Sequence, residues 1–208
     1  MTEESSQSAP AMEYAAEMRA PGSCFSDGPM LPEMVVVAGG KFLMSPGDAG
    51  TAQHQVHLRC PFAVSRTPIT FEQWDTYCDG DADAHRPYSR GRGRKPIINV
   101  SWEDAEHYVR WLSIASGRAY RLLSETEWEY CCRTRGGGFI EIDQKLPQFV
   151  ADAWHEDLQG LPRDGSPWGL TDATMWRVLR GPGVAARGRV PHTRRTESIT
   201  FHVACGLD

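Results

Sequence analysis

The stretch that decides the fold is Pro96–Arg133, which reads "PIINVSWEDAEHYVRWLSIASGRAYRLLSETEWEYCCR". It predicts two helices, each opened by a serine. Ser101 precedes a run of apolar residues at helical spacing, and Gly117 at the end of that run is a typical helix stop. Ser124 is followed three residues later by Glu127, which is the pattern of a capping box. The tryptophans of this stretch offer large apolar surfaces for packing in a core, namely Trp102, Trp111 and Trp128.

Upstream of this stretch, the sequence predicts short strands and one more helix. Val35–Val37 is a β-branched run, and Gly39 and Gly40 separate it from a second apolar run, so the two runs are predicted to form a hairpin. Two further extended pieces are predicted over residues 55–59 and 62–66. The next helix is predicted to begin at a threonine cap, Thr70, with its apolar residues on one face.

Downstream of the same stretch the hydrophobic pattern weakens. Residues 149–169, "FVADAWHEDLQGLPRDGSPWG", indicate irregular structure with tight turns. Residues 176–181 and 199–206 predict closing strands, joined by a basic segment. Short strands, two clear helices and long loops favour an α+β fold with much irregular backbone. The polar residues 1–30 are predicted to be a disordered leader, and residues 31–208 a single domain.

The composition of the chain disfavours several classes of function. Its 208 residues suit one domain, with or without a loose tail. The net charge of −5 disfavours nucleic acid as a partner. No window is long and apolar enough for a membrane span and no targeting signal is recognisable, so we expect a cytoplasmic protein without a membrane partner. Six scattered cysteines, with no CxxC pair, favour reduced and mostly buried thiols over a disulfide framework.

Several of these segments, taken in order, form a family pattern. "MVVVAGGKFLM" and "FAVSRTPITFEQW" precede the decisive stretch, and "VLRG" and "TFHVACG" follow it. The pattern resembles the formylglycine-generating enzyme or sulfatase-modifying-factor domain, whose wider family includes domains of the ergothioneine-synthesis (EgtB) and pyoverdine-maturation (PvdO) proteins. The match extends well over residues 33–133 and loosely over residues 176–206. The resemblance implies a C-type-lectin-like α+β fold with little regular structure.

The chain departs from the family pattern where the resemblance places catalysis. In the family, two cysteines that follow a "GGS" element bind the copper that activates oxygen. Residues 181–183 take the position of that element here, which places the two cysteine positions at Ala186 and Pro191. Neither side chain binds a metal or does redox chemistry, so we expect no formylglycine generation by the family's mechanism and assign no catalytic residue. The "GNV.EW" segment, in the part of the family that supplies calcium ligands, has no visible counterpart, so the sequence does not support a calcium site.

The best candidate for binding is the segment from Arg177 to Arg195, which holds six arginines and no acidic residue. The resemblance implies that this part of the chain lines a substrate groove. Guanidinium groups there suit carboxylates or phosphates, and the alternative is a solvated, irregular surface held by local ion pairs. Two tryptophans are candidates for a groove wall or, alternatively, for core packing. The ligand-groove candidates are Arg177, Arg180, Arg187, Arg189, Arg194 and Arg195, together with Trp154 and Trp176.

A weaker candidate, for a metal site, is the loop cluster of Asp152, His155 and Glu156. Such side chains bind cations in loops, but they serve more often in caps and turns. We therefore expect a non-catalytic or accessory family member that binds a peptide, small molecule or partner protein and needs no cofactor. The alternative is a metal-dependent oxidoreductase of the EgtB or PvdO type, with iron or copper held by residues other than the family's. A third interpretation is a shortened remnant of the domain.

Overall fold

The computed structural model describes residues 20–45, 53–88, 92–134, 140–142, 145–169 and 175–207. Its helices are α1 (Phe71–Gly80), α2 (Trp102–Ser116) and α3 (Glu125–Thr134). Its strands are β1 (Cys24–Phe25), β2 (Met34–Val37), β3 (Gly40–Met44), β4 (His54–Leu58), β5 (Phe62–Ser65), β6 (Tyr120–Leu122), β7 (Gln148–Ala153), β8 (Trp176–Arg180), β9 (Arg187–Pro191), β10 (Thr200–Phe201) and β11 (Val203–Cys205). This mixture of short strands, helices and irregular backbone is an α+β arrangement, as predicted.

The strands form three sheets. The largest has five strands in the order β1-β2-β5-β11-β6, the second has four in the order β10-β7-β8-β9, and β3 pairs with β4 alone. The pair β10 and β7 is parallel, and the other described pairs are antiparallel. In the largest sheet, Ala204 of β11 lies opposite Val64 on one side and Arg121 on the other. That strand therefore joins the first third of the chain to its middle.

The predicted hairpin across Gly39 and Gly40 is wrong. β2 pairs with β1 and β5, whereas β3 pairs with β4 in a separate sheet. A Cβ atom at position 39 would lie 2.5 Å from the carbonyl oxygen of Leu58, and one at position 40 would lie 2.5 Å from the hydroxyl of Tyr130. The two glycines therefore allow a close approach as the chain passes from one sheet to the next, and they do not form a turn between paired strands.

The predicted helix starts are confirmed by their caps. The Ser101 hydroxyl accepts the N–H of Asp104, and the Asp104 carboxylate accepts the N–H of Ser101. Ser124 and Glu127 form the same reciprocal pair at the start of α3. Thr70 caps α1 in the same way. The predicted glycine stop of α2 is also present, with a φ of 72° that favours glycine.

The apolar side chains form two clusters, one on each side of β8. The first lies between α1, α2 and the largest sheet, where Trp74 stacks on Tyr108 with ring centroids 5.4 Å apart. The second contains Trp128 of α3 and faces β4 and β7. Val178 belongs to the second cluster and its neighbour Leu179 packs against the first, because successive residues of a strand point to opposite faces. The other tryptophans predicted for the core lie in or against the first cluster, namely Trp102 and Trp111.

Two strands lie where the sequence indicates irregular structure or a loose basic segment. β7 is almost wholly buried, so it lacks the alternation of apolar and polar residues by which a half-exposed strand is recognised. β9 reads "RGRVP" and is an edge strand of the second sheet, where a glycine and a terminal proline are tolerated. Together with β8, these two strands carry most of the predicted site residues.

Part of the segment that the sequence predicts as a disordered leader, residues 1–30, forms the short strand β1. Residues 1–19 of the predicted leader lie outside the described residues. Cys24–Phe25 pairs with β2. The Phe25 ring packs against the first apolar cluster, and the guanidinium of Arg118 lies over it at 5.0 Å. Over the described ranges, the longest apolar helix is too short to cross a lipid bilayer.

Candidate functional site

The six arginines of the basic segment lie on the hairpin of β8 and β9 and on the turn that follows it. Arg180 and Arg187 are cross-strand partners in this hairpin, as are Val178 and Arg189. Because facing residues of an antiparallel pair share a side of the sheet, Arg180, Arg187 and Arg189 all lie on the side of the second apolar cluster. Arg177 lies on the opposite side, with the first cluster. The hairpin therefore distributes its charges to two sides of the second sheet.

Arg180 is fully buried and bridges two carboxylates of α3. Its Nη1 donates to Glu125 at 3.1 Å and its Nη2 donates to Glu129 at 2.7 Å, while its guanidinium lies 5.2 Å from the ring of Trp128. Arg187, with 7% of its side chain exposed, donates from Nε to the same oxygen of Glu125 at 2.7 Å. A guanidinium enclosed with two carboxylates cannot serve a solvent-facing groove. The placement of Arg180 among the groove candidates is therefore corrected, since it fastens the hairpin to α3.

The other end of the basic segment is fastened to the first turn of α2. Arg195 makes two hydrogen bonds to Asp104, both of 2.7 Å, and His192 Nδ1 lies 2.8 Å from Glu103. Burial works to raise the pKa of Asp104, but the hydrogen bonds from Arg195 and from its cap partner outweigh burial and leave the pKa below its ordinary value. Arg177 lies over the ring of Trp102 at 4.3 Å. Three of the segment's six arginines are thus paired with carboxylates of α2 or α3, namely Arg180, Arg187 and Arg195.

Beside these ion pairs lies a largely exposed surface around Arg189, which we call the tryptophan–arginine face. It is made of Trp154, Glu156, Met175, Trp176 and Arg189. The Arg189 guanidinium lies 5.0 Å from the ring centroid of Trp176 and 5.6 Å from that of Trp154. Its Nη1 donates to Glu156 at 2.8 Å. Met175 is 65% exposed and Trp176 is 40% exposed. This face combines a positioned cation with exposed apolar surface.

Arg194, the remaining groove candidate, lies in the turn after β9. Its backbone N–H donates to the carbonyl of Pro191 at 2.9 Å, and its side chain is exposed. Within the described part of the chain, its guanidinium contacts neither a tryptophan ring nor a carboxylate. Its exposed side chain is one of the few positive charges of the segment that remain open to solvent.

The three residues proposed for a metal site do not converge. Asp152 is fully buried and accepts the backbone N–H groups of Glu125 at 2.6 Å and Trp168 at 2.7 Å. His155 stacks on the Trp168 ring at 3.6 Å, and Glu156 extends outward to Arg189. Among the residues that the structure describes, no three His, Cys, Asp or Glu side chains form a group able to hold a metal ion.

Asp152 instead ties the start of α3 to the loop that carries Trp168. Burial raises the pKa of the Asp152 carboxyl, and the nearby negative charge of Glu125 raises it further. The two backbone N–H donors act in the opposite direction but do not outweigh these effects. The residue thus performs one of the cap and turn roles that the sequence analysis kept as its alternative.

The two positions that the sequence resemblance assigns to copper-binding cysteines flank β9. Ala186 immediately precedes the strand and Pro191 ends it. Neither residue is a metal ligand, so the donor set that copper requires is missing at these positions. Cys131 and Cys132 lie on α3, and burial raises the pKa of both thiols, that of Cys132 to about 12. Thiols with such high pKa values are unreactive at neutral pH, as expected for buried cysteines.

Glu125 and Glu129 are the residues of this region that the sequence analysis did not recognise as functional partners. Glu129 accepts a hydrogen bond from Arg133 at 2.7 Å and another from Arg180 at 2.7 Å. A signal was available in the spacing, because these two acids lie four residues apart on a helix that carries a core tryptophan between them.

Comparisons with known proteins agree with this architecture. The model of the family described as "Sulfatase-modifying factor enzyme 1-like domain" matches residues 23–171. The formylglycine-generating enzyme of Streptomyces coelicolor is 31% identical over 107 residues, which cover 51% of this chain and 23% of that enzyme. The serine/threonine-protein kinase pkn1 of Chlamydia caviae is 28% identical over 172 residues, which cover 69% of this chain and 26% of the kinase. The chain therefore spans about a quarter of the length of these curated relatives.

Solved structures give the same result for the fold. PvdO from Pseudomonas aeruginosa superposes with a TM-score of 0.80 at 25% identity, covering 90% of this chain and 99% of that chain. Treponema denticola variable protein 1 superposes with a TM-score of 0.67 at 16% identity, covering 88% of this chain and 98% of that chain, which supports the fold alone. The α+β fold of the formylglycine-generating-enzyme type, inferred from the sequence resemblance, is confirmed.

Proposed function

Because the chain belongs to the family of sulfatase-modifying factor enzyme 1-like domains, we propose that it is a non-catalytic member that binds its ligand on the tryptophan–arginine face. One observation carries the proposal. Ala186 and Pro191, to which the resemblance assigns the family's cysteines, lie at the two ends of β9, while the same strand holds Arg189 against the tryptophan rings. An exposed face beside two positions that lack copper ligands supports ligand binding over copper chemistry. The ligand is a peptide, a small molecule or a partner protein.

The first test is a formylglycine assay. Purified protein loaded with copper, and given oxygen and a sulfatase-type cysteine peptide, is expected to yield no aldehyde above a protein-free control, because positions 186 and 191 hold no thiolate. The Streptomyces coelicolor enzyme serves as positive control in the same buffer. Aldehyde detected by hydrazide labelling and mass spectrometry at a rate near that of the control enzyme would overturn the proposal.

A second candidate function is a metal-dependent oxidoreductase that holds non-heme iron or copper through other residues. The similarity to PvdO, which extends over 99% of that chain, favours this candidate over a formylglycine-generating enzyme. Its candidate ligands Asp152, His155 and Glu156 each contact different partners and do not converge on one point. Metal binding would therefore require these side chains to move. We therefore rank this function below ligand binding.

Metal content distinguishes the two candidates. After purification at neutral pH without chelators or a metal-affinity tag, the protein is expected to contain far less than one equivalent of iron or copper by plasma mass spectrometry. The variant His155→Ala is the matched comparison, since it removes the best donor of the second candidate. One equivalent of either metal in the wild-type protein, lost in the variant, would establish the oxidoreductase candidate instead.

A further inference from the structure

Arg189 is the arginine of the β8–β9 hairpin that is both fixed in position and open to solvent. The indole rings of Trp154 and Trp176 lie against its guanidinium, with centroid distances of 5.6 and 5.0 Å, and 47% of its side chain remains exposed. Strand β9 fixes its backbone opposite Val178. A guanidinium already held by stacking loses little conformational freedom when it forms a new hydrogen bond, which favours binding of a planar oxyanion.

The carboxylate that Arg189 now binds is replaceable. Glu156 lies after the end of β7, its side chain is 77% exposed, and it accepts one hydrogen bond, from Arg189 Nη1 to Oε1 at 2.8 Å. Exposed ion pairs with one hydrogen bond contribute little to stability and exchange readily with solvent. Glu156 thus shows that the guanidinium binds a carboxylate at this position. Because the Glu156 side chain is exposed, its displacement would not disturb the core.

The neighbouring arginines differ in this respect. Arg180 and Arg187 are held by buried Glu125, and Arg195 forms two hydrogen bonds with a capping aspartate. Releasing any of these would separate a guanidinium from a buried carboxylate, which is costly. Among the paired arginines of the described hairpin, exchange of partner is therefore cheapest at Arg189.

The surroundings of Arg189 favour a peptide as the source of the carboxylate. Trp176 and Met175, exposed by 40% and 65%, extend the face with apolar surface that can contact the aliphatic part of a chain. Arg187 lies against the Trp154 ring at 4.3 Å and helps to hold that ring in place. An open face with a guanidinium beside apolar surface is complementary to an acidic side chain on an extended segment, since a lone small anion would use only the guanidinium.

Building on the function proposed above, we infer that the tryptophan–arginine face binds an acidic peptide segment, whose carboxylate displaces Glu156 from Arg189. Glu156 is then an internal competitor that weakens binding in the free protein. The two residues of this ion pair are therefore expected to have opposite effects on binding. Removing the charge of Glu156 strengthens binding, whereas removing the charge of Arg189 weakens it, although both changes break the same ion pair.

The experiment uses the full chain, labelled with ¹⁵N, and follows the indole N–H resonances of Trp154 and Trp176. The probes are hexaglutamate, hexaglutamine, hexalysine and glutarate at low salt. Hexaglutamate is expected to shift both resonances to saturation. Arg189→Gln is expected to raise Kd about tenfold or more and Glu156→Gln to lower it about threefold or more, as for the loss and the release of one charge-assisted hydrogen bond. Arg110→Gln, an exposed arginine of α2, is the control for net charge.

Each contrary result has a defined meaning. Equal weakening by Arg189→Gln and Arg110→Gln would overturn the inference in favour of diffuse attraction. Unchanged or weaker binding by Glu156→Gln would overturn the role of the internal competitor. Equal binding of hexaglutamine would overturn the carboxylate but leave ligand binding on this face intact. Glutarate as tight as hexaglutamate would overturn the peptide, and no response to any probe would overturn the whole inference while the aldehyde assay still tests the proposed function.

Discussion

Arg180→Met is expected to lower the free energy of unfolding by up to about 3–5 kcal/mol, because it removes the guanidinium that two buried carboxylates share. Glu125 then keeps only Arg187, and Glu129 keeps only Arg133. Arg180, Glu125 and Glu129 are all fully buried, and Arg180 donates to both acids. Methionine fills a similar volume, so the loss reflects charge more than a cavity. Urea unfolding followed by tryptophan fluorescence measures the effect, with Trp128 as a probe close to the changed residue.

Two further variants separate the buried charge from general effects. Arg189→Met breaks an exposed ion pair and is expected to change the free energy of unfolding by less than about 1 kcal/mol. Adding Glu129→Gln to Arg180→Met is expected to restore part of the lost stability. Glu125 remains paired with Arg187 in this double variant, and Arg133, which loses its partner, is 39% exposed and stays hydrated. If Arg180→Met proved no more harmful than Arg189→Met, the buried network would not hold the hairpin to α3.

The second large effect concerns His202, which lies between β10 and β11 and is almost fully buried. Burial lowers the pKa of His202 from 6.5 to about 4, against the opposing effect of the Ser65 carbonyl, 2.9 Å from its Nδ1. Between these pH values, His202 is therefore protonated in the unfolded chain and neutral in the folded chain. Stability contributed by His202 is fully present above pH 6.5, and about 3 kcal/mol of it is lost as the pH falls to 4.

The measurement is a difference between the wild-type protein and His202→Gln, unfolded with urea at several pH values. The advantage of the wild-type protein is expected to shrink by about 3 kcal/mol between pH 6.5 and pH 4. Asp152→Asn is the matched comparison with the opposite sign. Because the folded-state pKa of Asp152 is raised, its contribution falls as the pH rises above the unfolded value of 3.8. A pH-independent difference for His202→Gln would contradict the assignment of a neutral, buried imidazole.

The sequence predicted features that depend on neighbouring residues better than features that depend on residues far apart along the chain. Caps are local, so Ser101 and Ser124 could be assigned from residues three positions away. Strand pairing is not local, and the β-branched run at Val35–Val37 was therefore matched with the nearest apolar run rather than with its true partner β5. The family resemblance supplied the fold class that local patterns alone could not.

In the candidate site, the ion-pair partners of the arginines could not be predicted from the sequence for the same reason. The arginines were visible as a cluster free of acids, and the sequence analysis gave a solvated surface as the alternative to a groove. Their partners Glu125, Glu129 and Asp104 lie on two helices, 51 to 91 residues away along the chain. Which arginines are neutralised and which one remains available is a property of the folded sheet, and no spacing rule in one sequence reports it. Arg189 is distinguished by its tryptophans, and the sequence places those at irregular intervals.

The position of β11 has a consequence for how the protein is made. This strand lies between β5 and β6, yet it follows both of them, and every other described strand, in the order of synthesis. Until Val203–Cys205 has left the ribosome, β1-β2-β5 and β6 are separate pieces with unpaired edges. The largest sheet therefore closes only after translation of nearly the whole domain, and the open edge of β5 is the surface through which nascent chains would pair with one another.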